Sequence, residues 1–171
     1  AEFYKRTDIP RPDFRIGNIE ELDKVLRPEE RFDLAFCFGV LHHTPNPEKV
    51  LMGLHDYMKP SSELRLMVYN KWSLKNLQVR LGLVQCEAQS GVPIARTYSL
   101  KEIESLLNAC GWYISWTGVD HIFKWELNDY LKYQYTVAAP WKWMPDWMFR
   151  WCERTLGWHR LIVAKRIKEI A

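Results

Sequence analysis

Two adjacent histidines, His42 and His43, are the residues of this sequence best suited to proton chemistry. Imidazole has a reference pKa of about 6.5, so each ring can accept or release a proton near neutral pH. The pair follows an apolar run that contains Gly39, a residue type that lets a ligand approach the backbone closely. We predict that His43 and His42 are catalytic; the alternative is that one of them only anchors the loop. No third ligand stands at metal spacing, so we expect no metal site.

Further polar residues stand where a bound molecule can be contacted. Tyr69 and Asn70 end the next apolar segment, and Arg96 and Tyr98 precede a helix. We predict that these four residues contact a substrate, with Arg96 able to attract an acidic one. The plainer interpretation is an ordinary strand end followed by a surface loop.

These residues need a framework that brings them together. The apolar run 32–41 predicts a buried parallel strand, because both of its faces are apolar. Asn46 and Pro47 begin a helix, and the alternating run 63–69 predicts the next strand. Strand, helix and strand in this order form a βαβ unit. Ligands of such sheets bind at the carboxyl ends of the strands, where the histidines and Tyr69 stand.

The remaining patterns extend the same architecture. Further strands are predicted at 13–17, 112–118 and 159–165, and further helices at 19–26, 73–81, 99–111 and 146–156. Ser99 and Glu102 have the spacing of a capping box. We therefore predict an α/β fold with a mainly parallel sheet, a single domain over residues 1–171, and cover segments at 71–98 and 119–158.

Composition excludes several classes of protein. The chain has 171 residues, with 26% charged residues and a net charge of +3. So small an excess of positive charge argues against a dedicated nucleic-acid binder, and we expect no nucleic-acid partner. No apolar run is long enough to span a membrane, and residues 1–10 do not resemble a signal peptide. We expect a cytoplasmic protein.

Aromatic residues are unusually frequent, at 14% with nine Trp. Several of the Trp fall in the segment 141–158, interleaved with Lys142, Arg150 and Arg154. This segment can be core that covers the end of the sheet, the wall of an apolar pocket, or a surface for peripheral membrane contact. The pattern leaves all three open.

The run from Phe32 to Pro47, with its Val-Leu-His-His-Thr-Pro-Asn-Pro end, resembles the fourth strand and following loop of class I S-adenosylmethionine-dependent methyltransferases of the type 11 kind. Residues 59–62 stand at the family's K-P-G-G turn, 63–69 at its fifth strand and 14–20 at its third. The resemblance covers about residues 13–118. It implies a Rossmann-like fold and methyl transfer from S-adenosylmethionine to a small organic or lipid-like acceptor.

The resemblance also implies which residues contact the cofactor. Asn18 stands where the family places a carboxylate near the adenine amino group, and Ile19 would pack near the adenine ring. Phe38 and Gly39 would offer backbone groups near the methionine end. Tyr69, Asn70 and the cover segments would surround the acceptor.

One family feature is missing from the sequence: no G-x-G occurs in this chain. The family's Gly-rich cofactor turn and the first two strands of its sheet would precede residue 1. The chain therefore corresponds to about the C-terminal two-thirds of the family's domain. The alternative to an enzyme is a truncated or degenerate, non-catalytic fragment that acts, if at all, through a partner.

Overall fold

The structure is a computed structural model that describes residues 12–85 and 95–167. Residues 86–94, which belong to the predicted cover segment 71–98, lie outside the described residues. No helix of the described part is long and apolar enough to cross a membrane.

A βαβ unit forms the first half of the fold, as the sequence predicts. Strand β1 (Phe32–Phe38) is followed by helix α1 (Pro47–Tyr57) and strand β2 (Met58–Asn70), which pairs with β1 in parallel. Pro47 is the first residue of α1, where its missing N–H costs no helical hydrogen bond. The register of β1 and β2 shifts between Phe32 and Leu34, so residues 59–62 form an irregular start of β2 rather than a separate turn.

The described part of the second half adds four helices and three strands. Their bounds are α2 (Leu74–Arg80), β3 (Thr97–Tyr98), α3 (Leu100–Ala109), β4 (Trp112–Asp120), α4 (Leu127–Tyr130), α5 (Asp146–Leu156) and β5 (His159–Arg166). Within residues 12–85 and 95–167, three short 3-10 helices span Ile19–Lys24, Leu41–His43 and Trp141–Trp143. Ser99 and Glu102 form the predicted capping box at the start of α3.

The five strands form one open sheet in the order β1-β2-β5-β4, with β3 paired to the end of β2. β1, β2, β3 and β4 run in one direction and β5 runs against its neighbours β2 and β4. The predicted α/β class is confirmed. The sheet is mixed, however, and the antiparallel ladders of β5 supply most of its pairing.

The core lies on one side of the sheet, where α1 and α3 pack. Its fully buried members include Leu51, Leu64, Leu107, Trp112 and Ile162. The indole of Trp112 donates to the Leu51 carbonyl at 3.0 Å, which ties β4 to α1. The other side of the sheet is largely uncovered among the described residues, and Phe36 and Phe38 of β1 are exposed there.

Three local predictions differ from the structure: the strand at 13–17, the burial of the strand at 32–41, and the end of that strand. Residues 13–17 form no strand; Arg15 instead bonds Asp13 and Glu30 with its guanidinium, which holds the segment as a loop. β1 is not buried on both faces, because only β2 pairs with it and one face has no cover in the described part. It also stops at Phe38, because Gly39 adopts a left-handed conformation with φ +75°.

Candidate active site at the carboxyl edge of the sheet

The predicted site residues gather where β1, β2 and β3 end. After Gly39 the chain turns into the 3-10 helix Leu41–His43, and the Thr44 hydroxyl donates to the Leu41 carbonyl at 2.8 Å to close that turn. β3 pairs with Tyr69 and Asn70 at the end of β2. The 42–45 loop and the end of β2 thus lie side by side, as the sequence predicts, and β3, which the sequence does not predict, lies beside them.

A row of rings in contact, which we call the ring stack, consists of His43, His42, Tyr69 and Trp158. The ring centroids of His42 lie 4.2 Å from His43 and 3.7 Å from Tyr69. Tyr69 continues the row to Trp158 at 4.2 Å with an interplanar angle of 25°. The stack therefore joins the loop after β1 to β2 and to the residue before β5.

His42 is the most deeply buried member of the ring stack. It has no exposed surface, and neither ring nitrogen makes a hydrogen bond of normal geometry among the described residues. Burial lowers the pKa of His42 to about 4; the positive charges that His43 and His159 can carry act in the same direction, and the Met67 backbone opposes them. The His42 ring is therefore neutral at neutral pH.

His43 is half-buried and stands at the outer end of the ring stack. Its ring meets Tyr69 edge to face at 5.7 Å. Because His42 is neutral, it places no positive charge beside the His43 ring. Of the two adjacent histidines, His43 is the one that a ligand at the sheet edge can reach.

Asn70 joins β2 to β5. Its backbone N–H donates to the Trp158 carbonyl at 2.7 Å, and its side-chain amide donates to the Gly157 carbonyl at 3.0 Å. Its side-chain oxygen accepts from Arg160 at 3.0 Å. Asn70 is fully buried, so this amide positions the ring stack from behind, and its predicted contact with a substrate stays a prediction.

Arg96 and Tyr98 bring β3 against the loop that carries the histidines. The Arg96 N–H donates to the His42 carbonyl at 2.9 Å, and its guanidinium donates to the Pro45 carbonyl at 2.9 Å. Tyr98 is buried and its hydroxyl has no partner of normal geometry among the described residues. Burial raises the pKa of Tyr98, which therefore keeps its proton.

The predicted cofactor residues lie on two separate elements. Asn18 caps the 3-10 helix Ile19–Lys24 by accepting from the Glu20 N–H at 3.0 Å, and Ile19 packs against the core. The Glu20 carboxylate accepts two hydrogen bonds from Asn46, which also lower its pKa. This ties residues 18–24 to the beginning of α1, beside the loop after β1.

Phe38 and Gly39 leave the end of β1 open to approach. Phe38 is half-exposed, and a Cβ added to Gly39 would meet only the Met67 methyl group, at 3.9 Å. The backbone of this turn is therefore accessible to a ligand. Within the described residues no group of three His, Cys, Asp or Glu side chains is arranged to hold a metal ion.

Sequence reasoning missed two histidines at this edge, His121 and His159. Their rings stack at 4.5 Å with an interplanar angle of 8°, and His159 lies 6.3 Å from Tyr69. His159 begins a predicted strand, but the sequence does not reveal that this strand inserts beside β2. His121 follows β4 with φ +73°, and no sequence signal identifies it.

A cleft of about 880 Å³ opens between β4 and α5. Its lining includes Trp116, Asp120, Lys124, Phe149 and Glu153. Asp120 pairs with His159 across the two strands, so the cleft begins beside the same edge of the sheet.

Residues 5–115 match the model of a family described as methyltransferase domain. The chain belongs to this methyltransferase family. The match includes β1, the ring-stack histidines, β2, β3 and α3, and it ends within β4. No curated protein sequence matches the chain.

Solved structures of methyltransferases share the fold of this domain. A possible histamine N-methyltransferase from Thermotoga maritima is 18% identical, with a TM-score of 0.56 over 88% of this chain and 62% of its own. The complex of the Haloferax volcanii Trm112 methyltransferase activator with a methyltransferase matches at 16% identity, with a TM-score of 0.57 over 91% of this chain and 61% of the other.

The 1,6-didemethyltoxoflavin-N1-methyltransferase of Burkholderia thailandensis, solved with 1,6-didemethyltoxoflavin and S-adenosylhomocysteine, is 16% identical. Its TM-score is 0.50 over 88% of this chain and 48% of its own. The chain thus spans less than two thirds of the length of each of these three structures.

Proposed function

We propose that this methyltransferase domain transfers a methyl group from S-adenosylmethionine to a small organic or lipid-like acceptor. The observation that carries the proposal is the open Gly39 turn at the end of β1, followed at once by a half-buried His43 whose neighbour is held neutral. Strand ends in α/β sheets are where such folds bind ligands.

The described residues fit part of the proposed cofactor. The exposed backbone at Phe38 and Gly39 can accept its methionine end, and the side chain of Asn18 can accept a hydrogen bond from its adenine amino group. Ile19 supplies the apolar contact beside the adenine. When bound, S-adenosylmethionine supplies an electrophilic methyl group on a sulfonium. The chain contains no G-x-G turn that could bind the rest of the cofactor.

His43 is proposed as the general base. Its neutral imidazole accepts the proton that an acceptor O–H or N–H gives up as that atom is methylated. Tyr69 and His42 hold the His43 ring in position through the ring stack. Positioning of the acceptor in line with the methyl group supplies the rest of the catalysis.

Arg96, Tyr98, Tyr69 and Asn70 are proposed to define the acceptor side of the site. Arg96 is the exposed member of this group, and its guanidinium has N–H groups beyond the one bound to Pro45. The Tyr98 hydroxyl, which has no hydrogen-bond partner of normal geometry among the described residues, can donate to an acceptor that reaches it. Residues 71–98 and 119–158 are proposed to cover the acceptor. The expected cytoplasmic location stays a prediction.

Calorimetric titration with S-adenosylhomocysteine tests the cofactor assignment, on the longest form of the protein that its gene encodes. Turnover is measured as S-adenosylhomocysteine release over a panel of phenols, amines and carboxylates. We expect His43→Ala and His43→Gln to lower kcat by about 10²-fold or more with little change in cofactor affinity. Unchanged turnover in both variants removes His43 from the mechanism.

The alternative, a non-catalytic fragment, is favoured by one observation: the apolar face of β1 lacks a cover among the described residues. It predicts no measurable affinity of residues 1–171 for S-adenosylhomocysteine and a low free energy of unfolding. Micromolar binding to this chain would exclude it.

A further inference from the structure

Helix α5 exposes two Trp and two Arg side chains to solvent. Trp147 and Trp151 are one turn apart and 72% and 60% exposed. Arg150 and Arg154 have the same spacing and are also exposed, so the four side chains interleave on one side of the helix. We call this set the Trp–Arg face.

The opposite side of α5 is the one that packs on the rest of the domain. Phe149 and Glu153 are half-buried and line the cleft against β4. Arg150 and Arg154 also line this cleft, but both are exposed. The Phe149 ring meets Trp141 edge to face at 5.6 Å. The helix thus already has an apolar inner contact. Burial of α5 against the sheet therefore does not account for the outward Trp side chains.

The basic residues near this face have no acidic partner among the residues that the structure describes. Within the described part of the chain, no carboxylate lies at salt-bridge distance from Lys142, Arg150 or Arg154, whereas Lys59 and Lys71 are paired elsewhere. Lys142 lies 5.7 Å from the ring of Trp143, which is itself exposed and precedes α5. Unpaired cations beside exposed indoles are suited to a partner that is both anionic and apolar.

An anionic lipid surface has this combination. Indole rings favour the boundary between head groups and acyl chains, and Arg side chains bind lipid phosphates while their stems stay in apolar surroundings. A short helix with Trp and Arg on one face binds in the plane of such a surface.

We propose that the Trp–Arg face of α5 docks on anionic membrane surfaces, with Trp147 and Trp151 entering the head-group region and Arg150, Arg154 and Lys142 contacting lipid phosphates. A nucleic acid also has phosphates, but Trp side chains bind it by stacking on bases, which are exposed only in single strands. The small net charge of +3 argues against that partner. This docking is independent of whether methyl transfer occurs.

Co-sedimentation of the chain with vesicles tests the proposal, using phosphatidylcholine vesicles with and without phosphatidylglycerol. We expect binding to the anionic vesicles that weakens with salt, and a blue shift of the Trp fluorescence on binding. Absence of binding, or equal binding to both kinds of vesicle, would overturn the proposal. So would preferential binding of single-stranded RNA over anionic vesicles.

Two double variants separate the contributions of the face. We expect each double variant to lower the affinity for anionic vesicles about tenfold or more. One combines Trp147→Ser with Trp151→Ser, and the other combines Arg150→Gln with Arg154→Gln. The matched control is Trp72→Ser, because Trp72 is 65% exposed and lies before α2, outside this face. Circular dichroism verifies that each variant is folded. Retained affinity in both double variants, or an equal loss in Trp72→Ser, would contradict the assignment.

Discussion

A single buried ring, His42, determines much of the character of the candidate site. It has no solvent-exposed surface and lies between the rings of His43 and Tyr69, tilted by 58° and 35° to them. Because protonation would place an uncompensated charge in the core, burial holds this imidazole neutral. The neutral His42 ring contacts the His43 ring and thereby helps to position it.

The lowered pKa of His42 predicts how stability depends on pH. The folded state has a pKa of about 4 for this ring, against a reference value of 6.5. Between these values the unfolded chain binds the extra proton, so the free energy of unfolding falls as pH drops from 6.5 towards 4. The loss attributable to His42 is up to about 3 kcal/mol.

Urea unfolding across this pH range measures the effect. His42→Phe keeps a stacked ring without a titrating group, so its stability should fall less steeply with acid than that of the wild type. His121→Gln is the control: His121 is exposed, so this substitution should not change how steeply the free energy of unfolding falls with acid. If His42→Phe loses stability with acid as steeply as the wild type, His42 is not the source of the pH dependence.

Among the elements, α3 is the one whose boundary the sequence specifies in atomic detail. The Ser99 hydroxyl accepts from the Glu102 N–H at 3.2 Å, and the Glu102 carboxylate accepts from the Ser99 N–H at 2.7 Å. Glu102 also forms an ion pair with Lys71. The hydrogen bond from Lys71 makes the largest contribution, and those with Ser99 add to it, in lowering the pKa of Glu102 to about 2. The cap therefore fixes α3 directly behind β3 and the end of β2.

Loss of this cap should destabilise the whole domain. We expect Ser99→Ala to lower the free energy of unfolding by about 1 kcal/mol, since an N–H at the helix start loses its partner. Ser61→Ala is the matched control, because Ser61 is exposed at the start of β2. Urea denaturation of both variants measures the difference; equal stability of the two would show that the capping box is not needed.

The elements also explain what the sequence could and could not predict. Helices with clear apolar periodicity, such as α1 and α3, and the strands β2, β4 and β5 are confirmed near their predicted positions. The segment around Arg15 alternates like a strand, yet ion pairs to Asp13 and Glu30 hold it as a loop. Local patterns do not reveal such distant partners.

The same limit applies to the candidate site. The sequence predicts that His43 and Tyr69 share one edge of the sheet, because parallel strands end together, and their rings lie 5.7 Å apart in the structure. The sequence does not predict strand β3, which adds Tyr98 to this edge by pairing with the end of β2. It does not predict Trp158 or His159, because these join the site only when β5 inserts antiparallel between β2 and β4. Pairing of strands so far apart in sequence leaves no local pattern.

For the molecule as a whole, the uneven cover of the sheet is the dominant feature. α1 and α3 bury one face, while the opposite face of β1 exposes Phe36 at 61% and Phe38 at its end. Within the described residues, β1 is paired on the β2 side alone. An apolar strand with a free edge is a surface on which chains associate.

This exposure predicts that the chain self-associates through β1. Sedimentation velocity should show an average mass that rises with concentration, because pairing at the free edge also buries the Phe36 ring. Phe36→Glu should shift the chain towards monomer: it removes apolar surface, and its carboxylate lies near the Arg65 guanidinium, now 5.6 Å from the Phe36 ring. Met52→Glu changes a residue of α1 that is 56% exposed, on the covered side of the sheet, and should leave association unchanged. A wild-type chain that stays monomeric at every concentration, or equal effects of the two substitutions, would mean that the edge of β1 is not an association surface.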